Sequence, residues 1–362
     1  MTVTRPAALR AAAALCTAHW FGTPHAARAV WSATEGGTDY AEVPLGLCGG
    51  GYCLTYSVDN QLFRAVVDTG SPFLIVDGTC DAGEQGRWGC YYGEARRSGL
   101  SDSELSFSGQ DVGVQWRRGA FALTLEPTSP VSTGEALTIE NAVFGVVRKY
   151  RGKGGSGAVF VGLVKKRGPR VLQPTLLEQT DIQSLRFNFL RRRLLFSRTP
   201  LIDRAVDAVP IVDLRPRAPD LKYSCRVTRL VVNGEQVRLD APTVAILDTG
   251  TTGLQVSEEL WDSGRLPQPL RNVRIELQTE RGSLCALEAS VRRRRPLSPG
   301  IPVVDVDPSA VEFDEFPLIA SPVPIRWGTG RGGTPYVLFV GLAFLWQRQL
   351  TIDVDAQRLS IV

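Results

Sequence analysis

One short motif occurs twice in this 362-residue sequence and carries groups that could do chemistry. An Asp-Thr-Gly triplet occupies residues 68–70 and again residues 248–250, and each copy lies between two apolar runs. The pattern predicts a strand, a tight glycine-containing turn and a second strand in each copy. Because a lone buried carboxylate is costly, an aspartate in such a turn indicates a fold that needs it there. The two copies therefore predict matching halves that each bring one carboxyl group, Asp68 or Asp248, to a shared site.

A second element repeats at nearly the same distance behind each triplet. Residues 159–163 read Val-Phe-Val-Gly-Leu, and residues 337–342 read Val-Leu-Phe-Val-Gly-Leu. The glycine of this element follows the aspartate of the triplet by 94 positions in the first copy and by 93 in the second. Two elements with matching spacing predict a long-range internal duplication. Because the apolar segments are short and no long helical periodicity dominates, we expect mostly β structure.

The first 29 residues have the composition of a targeting segment. They contain three arginines and no acidic residue, a small apolar stretch at residues 11–16, and an Ala-Arg-Ala sequence at residues 27–29 that fits a cleavage site. We expect residues 1–29 to act as a secretory signal or as an organelle import signal, such as one for the plastid lumen. The alternative is an N-terminus that the protein keeps.

Removal of that segment would leave a chain without histidine, because His19 and His25 are the only two. Such a chain cannot run a Ser-His-Asp or Cys-His mechanism and has no imidazole for a metal site. The sequence has no Cys-x-x-Cys pair, so we expect no metal. Elimination and duplication thus indicate the same chemistry, which is catalysis by paired carboxyl groups. Two such groups close together cannot both ionise cheaply, so one keeps a proton while the other is charged.

These motifs resemble those of the pepsin-like aspartic proteases over residues 39–362. That family has one Asp-Thr-Gly-Ser/Thr motif in each lobe and a hydrophobic-hydrophobic-Gly element that closes a loop beneath it. The resemblance implies an all-β, bilobal fold with a cleft between two β-barrel-like lobes. It divides the chain into an N-terminal lobe at residues 30–198 and a C-terminal lobe at residues 199–362, joined near residues 198–205.

The resemblance also assigns roles to the residues of the two motifs. Asp68 and Asp248 would be the catalytic pair and would activate a water molecule that attacks a peptide bond. The glycines would allow tight turns and close approach, and the hydroxyls would bond the outer carboxylate oxygens or brace the two loops. The supporting residues implied in this way are Thr69, Gly70, Ser71, Thr249, Gly250, Thr251 and Thr252.

The function implied is an aspartic endopeptidase that acts as a monomer on peptide or protein substrates, without a metal or an organic cofactor. The alternative from another class is a catalytically weak or silent relative that uses the same cleft to hold a peptide or to inhibit another protease. Fold does not fix function, but two complete motifs favour the enzyme.

A hairpin is expected at residues 105–116, where apolar and polar residues alternate on both sides of a Gly-Gln-Asp turn. In the resembling family such a hairpin, the flap, covers the cleft and carries a tyrosine, so Ser108 and Gly109 become substrate-binding candidates. This hairpin has no tyrosine. Trp116 is the nearest aromatic substitute, and Ile75 stands where many relatives have a tryptophan. These departures predict looser closure over the substrate and slower catalysis.

Six cysteines remain beyond the expected targeting segment, and an even number in a targeted protein favours disulfides. The candidate pairs are Cys80 with Cys90, Cys48 with Cys53, and Cys225 with Cys285. The first is implied by the resemblance, since the family often closes a short loop there, and the other two are what remains. Sequence alone does not fix this connectivity. We expect the secretory pathway, the extracellular space or the vacuole, or alternatively the thylakoid lumen.

Composition limits the other partners. The formal net charge is +4, and 38 basic residues would balance 37 acidic ones once the three arginines of residues 1–29 are removed. Bulk charge therefore implies no nucleic-acid partner. No apolar run approaches the roughly 20 residues that span a bilayer, so we expect no integral membrane segment.

Two further patterns are interpreted as loops. Residues 152–157 match the dinucleotide-binding string, but a short β-like run follows them where a helix would be needed. Basic runs occur at residues 165–167, 191–193 and 292–295. Solvated loop charge is the default interpretation for such runs, and docking of anions or acidic surfaces is the alternative.

Overall fold

A computed structural model of the chain shows a molecule built almost entirely of strands. It describes residues 29–31, 39–48, 50–80, 88–107, 110–124, 135–151, 160–165, 173–215, 222–291, 316–325 and 335–362. Helical structure in these segments is limited to a 3-10 turn at Leu177–Gln179 and two short helices, α1 (Glu258–Trp261) and α2 (Leu342–Leu345). The expected all-β class is confirmed. None of the helices described is long and apolar enough to cross a membrane.

The strands fall into two groups along the chain. The first group is β1 (Ala29–Trp31), β2 (Tyr40–Pro44), β3 (Gly46–Cys48), β4 (Gly51–Val58), β5 (Gln61–Asp68), β6 (Leu74–Asp77), β7 (Arg96–Arg97), β8 (Ser103–Phe107), β9 (Gln110–Thr124), β10 (Glu135–Arg151), β11 (Phe160–Gly162), β12 (Ser184–Asn188) and β13 (Arg193–Ser197). The second is β14 (Val209–Pro210), β15 (Ser224–Val232), β16 (Glu235–Gln236), β17 (Thr243–Leu247), β18 (Leu254–Ser257), β19 (Asn272–Gln278), β20 (Leu284–Ser290), β21 (Ala320–Val323), β22 (Tyr336–Val340), β23 (Gln349–Asp353) and β24 (Arg358–Ile361).

The order of strands repeats between the two groups. Strands β5 and β6 flank the first triplet, and β11 lies between them, parallel to β5 and antiparallel to β6. Strands β17 and β18 flank the second triplet, and β22 lies between them in the same way. The order β4-β5-β11-β6 in a ten-stranded sheet thus matches β15-β17-β22-β18 in an eight-stranded sheet. The likeness extends further, since β10 runs parallel to β6 and β21 runs parallel to β18.

Burial explains why these segments form strands. Along β5 the buried side chains of Phe63, Ala65 and Val67 alternate with more exposed ones, so one face packs on the core. All five residues of β17 are buried, as expected for a central strand that is covered on both faces. Each large apolar side chain buried in this way stabilises the fold by roughly 1.5–3 kcal/mol. Both triplets therefore follow strands that are firmly held.

A six-stranded sheet joins the two halves of the chain. Its order is β14-β24-β23-β12-β13-β2, and the contact between the halves is the antiparallel pairing of β12 with β23. The buried carboxylate of Asp353 on β23 accepts hydrogen bonds from the hydroxyl of Ser184 and from the N–H groups of Leu201 and Ile202. The segment expected to join the lobes, residues 198–205, is thus anchored to this sheet.

The cysteines form two of the three expected disulfides. Cys48 is bonded to Cys53, and Cys80 is bonded to Cys90. The third expected pair is wrong, because Cys225 and Cys285 are thiols. The strands that carry them, β15 and β20, are separated by β19.

Alkylation tests this cysteine assignment. Denaturing alkylation without a reductant is expected to modify Cys225 and Cys285, and reduction should then expose Cys48, Cys53, Cys80 and Cys90. Peptide mass spectrometry locates each modified residue. A protein with both Cys225 and Cys285 protected before reduction would contradict the assignment, and so would one in which all of these cysteines react at once.

The expected targeting segment lies outside the described residues except for its last position. Ala29 begins β1, which pairs antiparallel with β10 through the contacts Ala29↔Ile139 and Trp31↔Leu137. A chain that began at Val30 would keep two of the three residues of this strand. Cleavage after residue 29 is thus compatible with the sheet and stays a prediction.

Candidate active site

Both aspartates of the triplets lie where a pair of parallel strands ends. Asp68 is the last residue of β5, opposite Gly162 on β11, and its carbonyl accepts a hydrogen bond from the N–H of Leu163 at 2.8 Å. Asp248 directly follows β17, and its N–H donates to the carbonyl of Val340 on β22 at 3.1 Å. The repeated element of each half therefore fixes the backbone of one aspartate.

The two triplets face each other at very close range. A Cβ atom placed on Gly70 would lie 2.6 Å from Cγ of Asp248, and one placed on Gly250 would lie 2.7 Å from Cγ of Asp68. Real Cβ atoms do not come so close to a carboxyl group, so glycine in each triplet leaves the space that the opposite aspartate fills. The arrangement is nearly symmetric, as expected from a duplicated sequence.

The two threonines of the triplets lock the loops together. The N–H of Thr69 donates to the hydroxyl of Thr249 at 3.1 Å, and the N–H of Thr249 donates to the hydroxyl of Thr69 at 3.0 Å. Each hydroxyl then donates across the interface, from Thr69 to the carbonyl of Leu247 at 2.8 Å and from Thr249 to the carbonyl of Val67 at 2.6 Å. Because both threonines are buried, these four bonds are shielded from water.

Further hydrogen bonds orient the carboxyl groups. The N–H of Gly70 donates to Oδ1 of Asp68 at 2.7 Å, and the N–H of Gly250 donates to Oδ1 of Asp248 at 2.9 Å. The hydroxyl of Thr251 donates to Oδ2 of Asp248 at 2.9 Å. These contacts hold each carboxyl group in one orientation.

Two other expected supporting residues contact the backbone around the pair. The carbonyl of Ser71 accepts a hydrogen bond from the N–H of Val164 at 3.1 Å, which closes the loop beneath the first triplet. The hydroxyl of Thr252 donates to the carbonyl of Gly50 at 2.7 Å, at the turn between β3 and β4. Both contacts brace the loops that carry the aspartates.

Burial and charge shift the protonation of the pair. The pKa of Asp68 is raised well above its usual range, first by burial, then by the charge of Asp248 and by a hydrogen bond with its carboxyl group. The N–H of Gly70 and the charge of Lys222 act in the opposite direction. In general, two carboxyl groups that share a hydrogen bond can hold one proton between them. Such a pair can remove a proton from water and give one to an acceptor.

The expected hairpin is formed by β8 and β9. Its register pairs Leu105 with Val112 and Phe107 with Gln110, and the tip candidates Ser108 and Gly109 lie outside the described residues. Trp116, the expected aromatic substitute in the hairpin, is buried on β9.

Trp116 packs the base of the hairpin against the segment that follows the first triplet. Its ring meets Phe73 edge-on, with centroids 5.2 Å apart, and its Nε1 donates to the hydroxyl of Ser103 at 2.9 Å. Ile75 is fully buried and belongs to the same cluster of apolar side chains as Trp116. Trp116 therefore joins the hairpin to the Asp68 loop from within the core.

Sequence reasoning missed two residues at the site. Lys222 donates from Nζ to the carbonyl of Gly70, and Tyr223 donates from its hydroxyl to the carbonyl of Leu163. Both precede β15, far in sequence from the first triplet, and no local motif marks them. Only the pairing of distant strands brings them to the aspartates.

The patterns interpreted as loops are partly visible. The glycine-rich string at residues 152–157 and the basic run at residues 292–295 lie outside the described residues. Residues 191–193 are exposed at the turn between β12 and β13, as expected for a hairpin tip. Lys165 forms an ion pair with Asp355 at 2.9 Å.

In the described part of the chain, no group of His, Cys, Asp or Glu side chains is arranged to hold a metal ion.

Substitution of Gly70 tests the close approach of the triplets. Gly70→Ala is expected to lower the free energy of unfolding by about 1–3 kcal/mol, because the new methyl group must displace the carboxyl group of Asp248. Gly113→Ala is the matched control, since a Cβ atom there would meet only Cβ of Lys149, at an ordinary 3.6 Å. Urea unfolding measures both variants. Equal stability of Gly70→Ala and the wild type would show that the two loops are further apart.

No protein-family model matches the chain, and the search of curated proteins found no match.

Proposed function

We propose that this protein is an aspartic endopeptidase in which Asp68 and Asp248 activate a water molecule for attack on a peptide bond. The proposal includes a bilobal, pepsin-like arrangement with the pair in a cleft between the lobes. The observation that carries it is the mutual approach of the triplets, in which the glycine of each lies against the carboxyl group of the other.

The reaction needs one ionised and one protonated carboxyl group. The ionised group takes a proton from water as the water oxygen bonds to the carbonyl carbon of the substrate. The protonated group gives its proton to the carbonyl oxygen, so the product is a gem-diol and no bond to the enzyme forms. In the second stage one diol hydroxyl returns a proton to a carboxylate, and the other carboxyl protonates the amide nitrogen as the C–N bond breaks. The pair then again holds one proton.

Two features of the site support this mechanism. Burial and the charge of Asp248 raise the pKa of Asp68, which favours the shared proton that the reaction needs. The hydrogen bonds of Thr69 and Thr249 fix the loops before any substrate arrives, so little reorganisation is needed during the reaction.

The compartment and partners are part of the same proposal. Two disulfides favour an oxidising compartment such as the secretory pathway. The proposed partner is an extended peptide or an unfolded protein segment, bound by a monomer of the enzyme.

Digestion of a random peptide library by the purified protein tests the proposed function. We expect new peptide termini, detected by mass spectrometry, with most cleavage at acidic pH where the pair holds one proton. Peptides that are retained by the protein without new termini would favour the silent peptide-binding alternative. The absence of a tyrosine from the hairpin is the feature of the chain that favours that alternative.

A further inference from the structure

Lys222 brings a positive charge to the aspartate pair from outside both motifs. Its Nζ donates to the carbonyl oxygen of Gly70 at 2.5 Å, although 152 positions separate the two residues. The N–H of the same glycine donates to Oδ1 of Asp68 at 2.7 Å. The ammonium group thus sits on the turn that orients the first catalytic carboxyl group.

Tyr223 fixes the position of this lysine. Its side chain is fully buried, and its hydroxyl donates to the carbonyl of Leu163 in the loop beneath the first triplet. Its own carbonyl accepts a hydrogen bond at 3.0 Å from the N–H of Leu247, the residue before Asp248. The backbone beside Lys222 is therefore hydrogen-bonded to both aspartate loops. These bonds fix the backbone position from which the Lys222 side chain extends to Gly70.

Two charged residues shift the pKa of Asp68 in opposite directions. Asp248 raises this pKa, and Lys222 lowers it. Burial is the largest cause of the raised pKa. The contacts made by Thr69, Thr249 and Thr251 are uncharged. Lys222 is thus a cation that opposes the effect of Asp248 on Asp68.

We propose that Lys222 is a positioning residue whose charge moves to lower pH the range in which the aspartate pair is singly ionised, and with it the working pH range of the enzyme. This inference rests on the proposed endopeptidase function. A cation close to a carboxyl pair favours loss of each proton, so the acidic and the alkaline limits of activity both move to lower pH. The lysine acts through the Gly70 turn and through its charge.

Three substitutions separate the charge of Lys222 from its hydrogen bond. Lys222→Met removes both, Lys222→Gln keeps a neutral donor, and Lys222→Arg keeps the charge. Lys149→Met is the matched control, because it removes an exposed lysine on β10 and so changes the net charge equally.

The pH dependence of kcat/KM on one cleaved peptide gives the first readout. For Lys222→Met and Lys222→Gln we expect the whole profile to move to higher pH, with kcat/KM about tenfold lower on the acidic limb and about tenfold higher on the alkaline limb. Lys222→Arg and Lys149→Met should keep the wild-type profile. Two results would overturn the proposal and leave Lys222 a structural role. One is a Lys222→Met profile that keeps its position on the pH axis while its maximum falls. The other is a Lys222→Gln profile that matches the wild type.

A second readout does not depend on activity. The side-chain carboxyl carbons of Asp68 and Asp248 can be titrated by NMR in protein labelled at aspartate, with Asp68→Asn and Asp248→Asn giving the assignment. The midpoints are expected at higher pH in Lys222→Met than in the wild type, and unchanged midpoints would overturn the proposal. If the wild type cleaves no peptide while the midpoints still move, the endopeptidase function fails and the role of Lys222 stands.

Discussion

Replacing Asp248 with asparagine is expected to lower kcat for peptide cleavage by about a thousandfold or more. The amide has nearly the shape of the carboxyl group, but it can neither take a proton from water nor share one with Asp68. Asp68→Asn should have the same effect, because the two residues act as one unit. The double variant should be no worse than either single variant. Steady-state kinetics with a peptide selected from the library measures all three, and a single variant that keeps wild-type turnover would exclude the pair.

Asp248→Asn should also make the folded protein more stable than the wild type, by an amount that grows as the pH rises. The pKa of Asp68 is raised in the folded protein, so the folded state holds the proton more tightly than the unfolded state does. The resulting stability is present at low pH and is lost as the pH rises through the raised pKa. Asp248→Asn removes one cause of this loss. Its free energy of unfolding should therefore exceed that of the wild type at neutral pH, on the order of 1 kcal/mol, and the two should converge in acid.

Asp240 is a control residue for which the contribution to stability changes with pH in the opposite direction. A hydrogen bond from the hydroxyl of Tyr336 and the charge of Arg265 lower the pKa of this exposed carboxyl group, so its contribution to stability is present at neutral pH and is lost in acid. Asp240→Asn should thus destabilise the protein at neutral pH. Urea unfolding of both variants at acidic and neutral pH separates the two effects. Destabilisation by Asp248→Asn at neutral pH would contradict the account of the buried pair.

Removal of one bracing hydroxyl is expected to damage both stability and turnover. Thr69→Val keeps the shape of the side chain but leaves the N–H of Thr249 and the carbonyl of Leu247 without their partner. Each buried group left unpaired costs about 1–3 kcal/mol, so for the two groups we expect a loss of about 2–6 kcal/mol in the free energy of unfolding. Because these bonds join the two loops, kcat should also fall, even under conditions in which the variant is fully folded.

Two comparisons make the threonine prediction specific. Thr249→Val should cost as much as Thr69→Val, and the double variant should cost less than the sum, because the four bonds form one network. Thr228→Val is the control, since this exposed threonine makes a single hydrogen bond to the carbonyl of Glu276. A loss no larger for Thr69→Val than for Thr228→Val would show that the bonds between the loops contribute little.

The sequence contained enough information to predict the central parts of both sheets. Each triplet and the element that repeats behind it are short apolar runs with glycine at a matching offset, and in each half they form the interlocked strands around one aspartate. This was predictable because the pattern is local, and its duplication shows which segments correspond. We could also expect the two triplets to face each other, because burying a single carboxylate is costly.

Features that depend on distant pairing were not predictable. Cys225 and Cys285 looked like a pair because they were left over, but strand β19 separates the strands that carry them. Lys222 reaches Gly70 only because β15 pairs with β17, which places the residues before β15 beside the second triplet. Trp116 lies buried at the base of the hairpin because Phe73 and Ile75, from the segment after the first triplet, lie in the same apolar cluster. In each case, neighbours in space decide the outcome and are absent from the local sequence.

The pH dependence of kcat/KM for the wild type and Asp248→Asn tests the central claim most directly. If Asp68 and Asp248 share one reactive proton, the wild type gives a bell-shaped profile. Its acidic limb marks ionisation of the first carboxyl group, and its alkaline limb marks loss of the shared proton. The Asp248→Asn protein, folded by circular dichroism, should show no cleavage above background at any pH. Cleavage by that variant with a bell-shaped profile at the wild-type position would contradict the account.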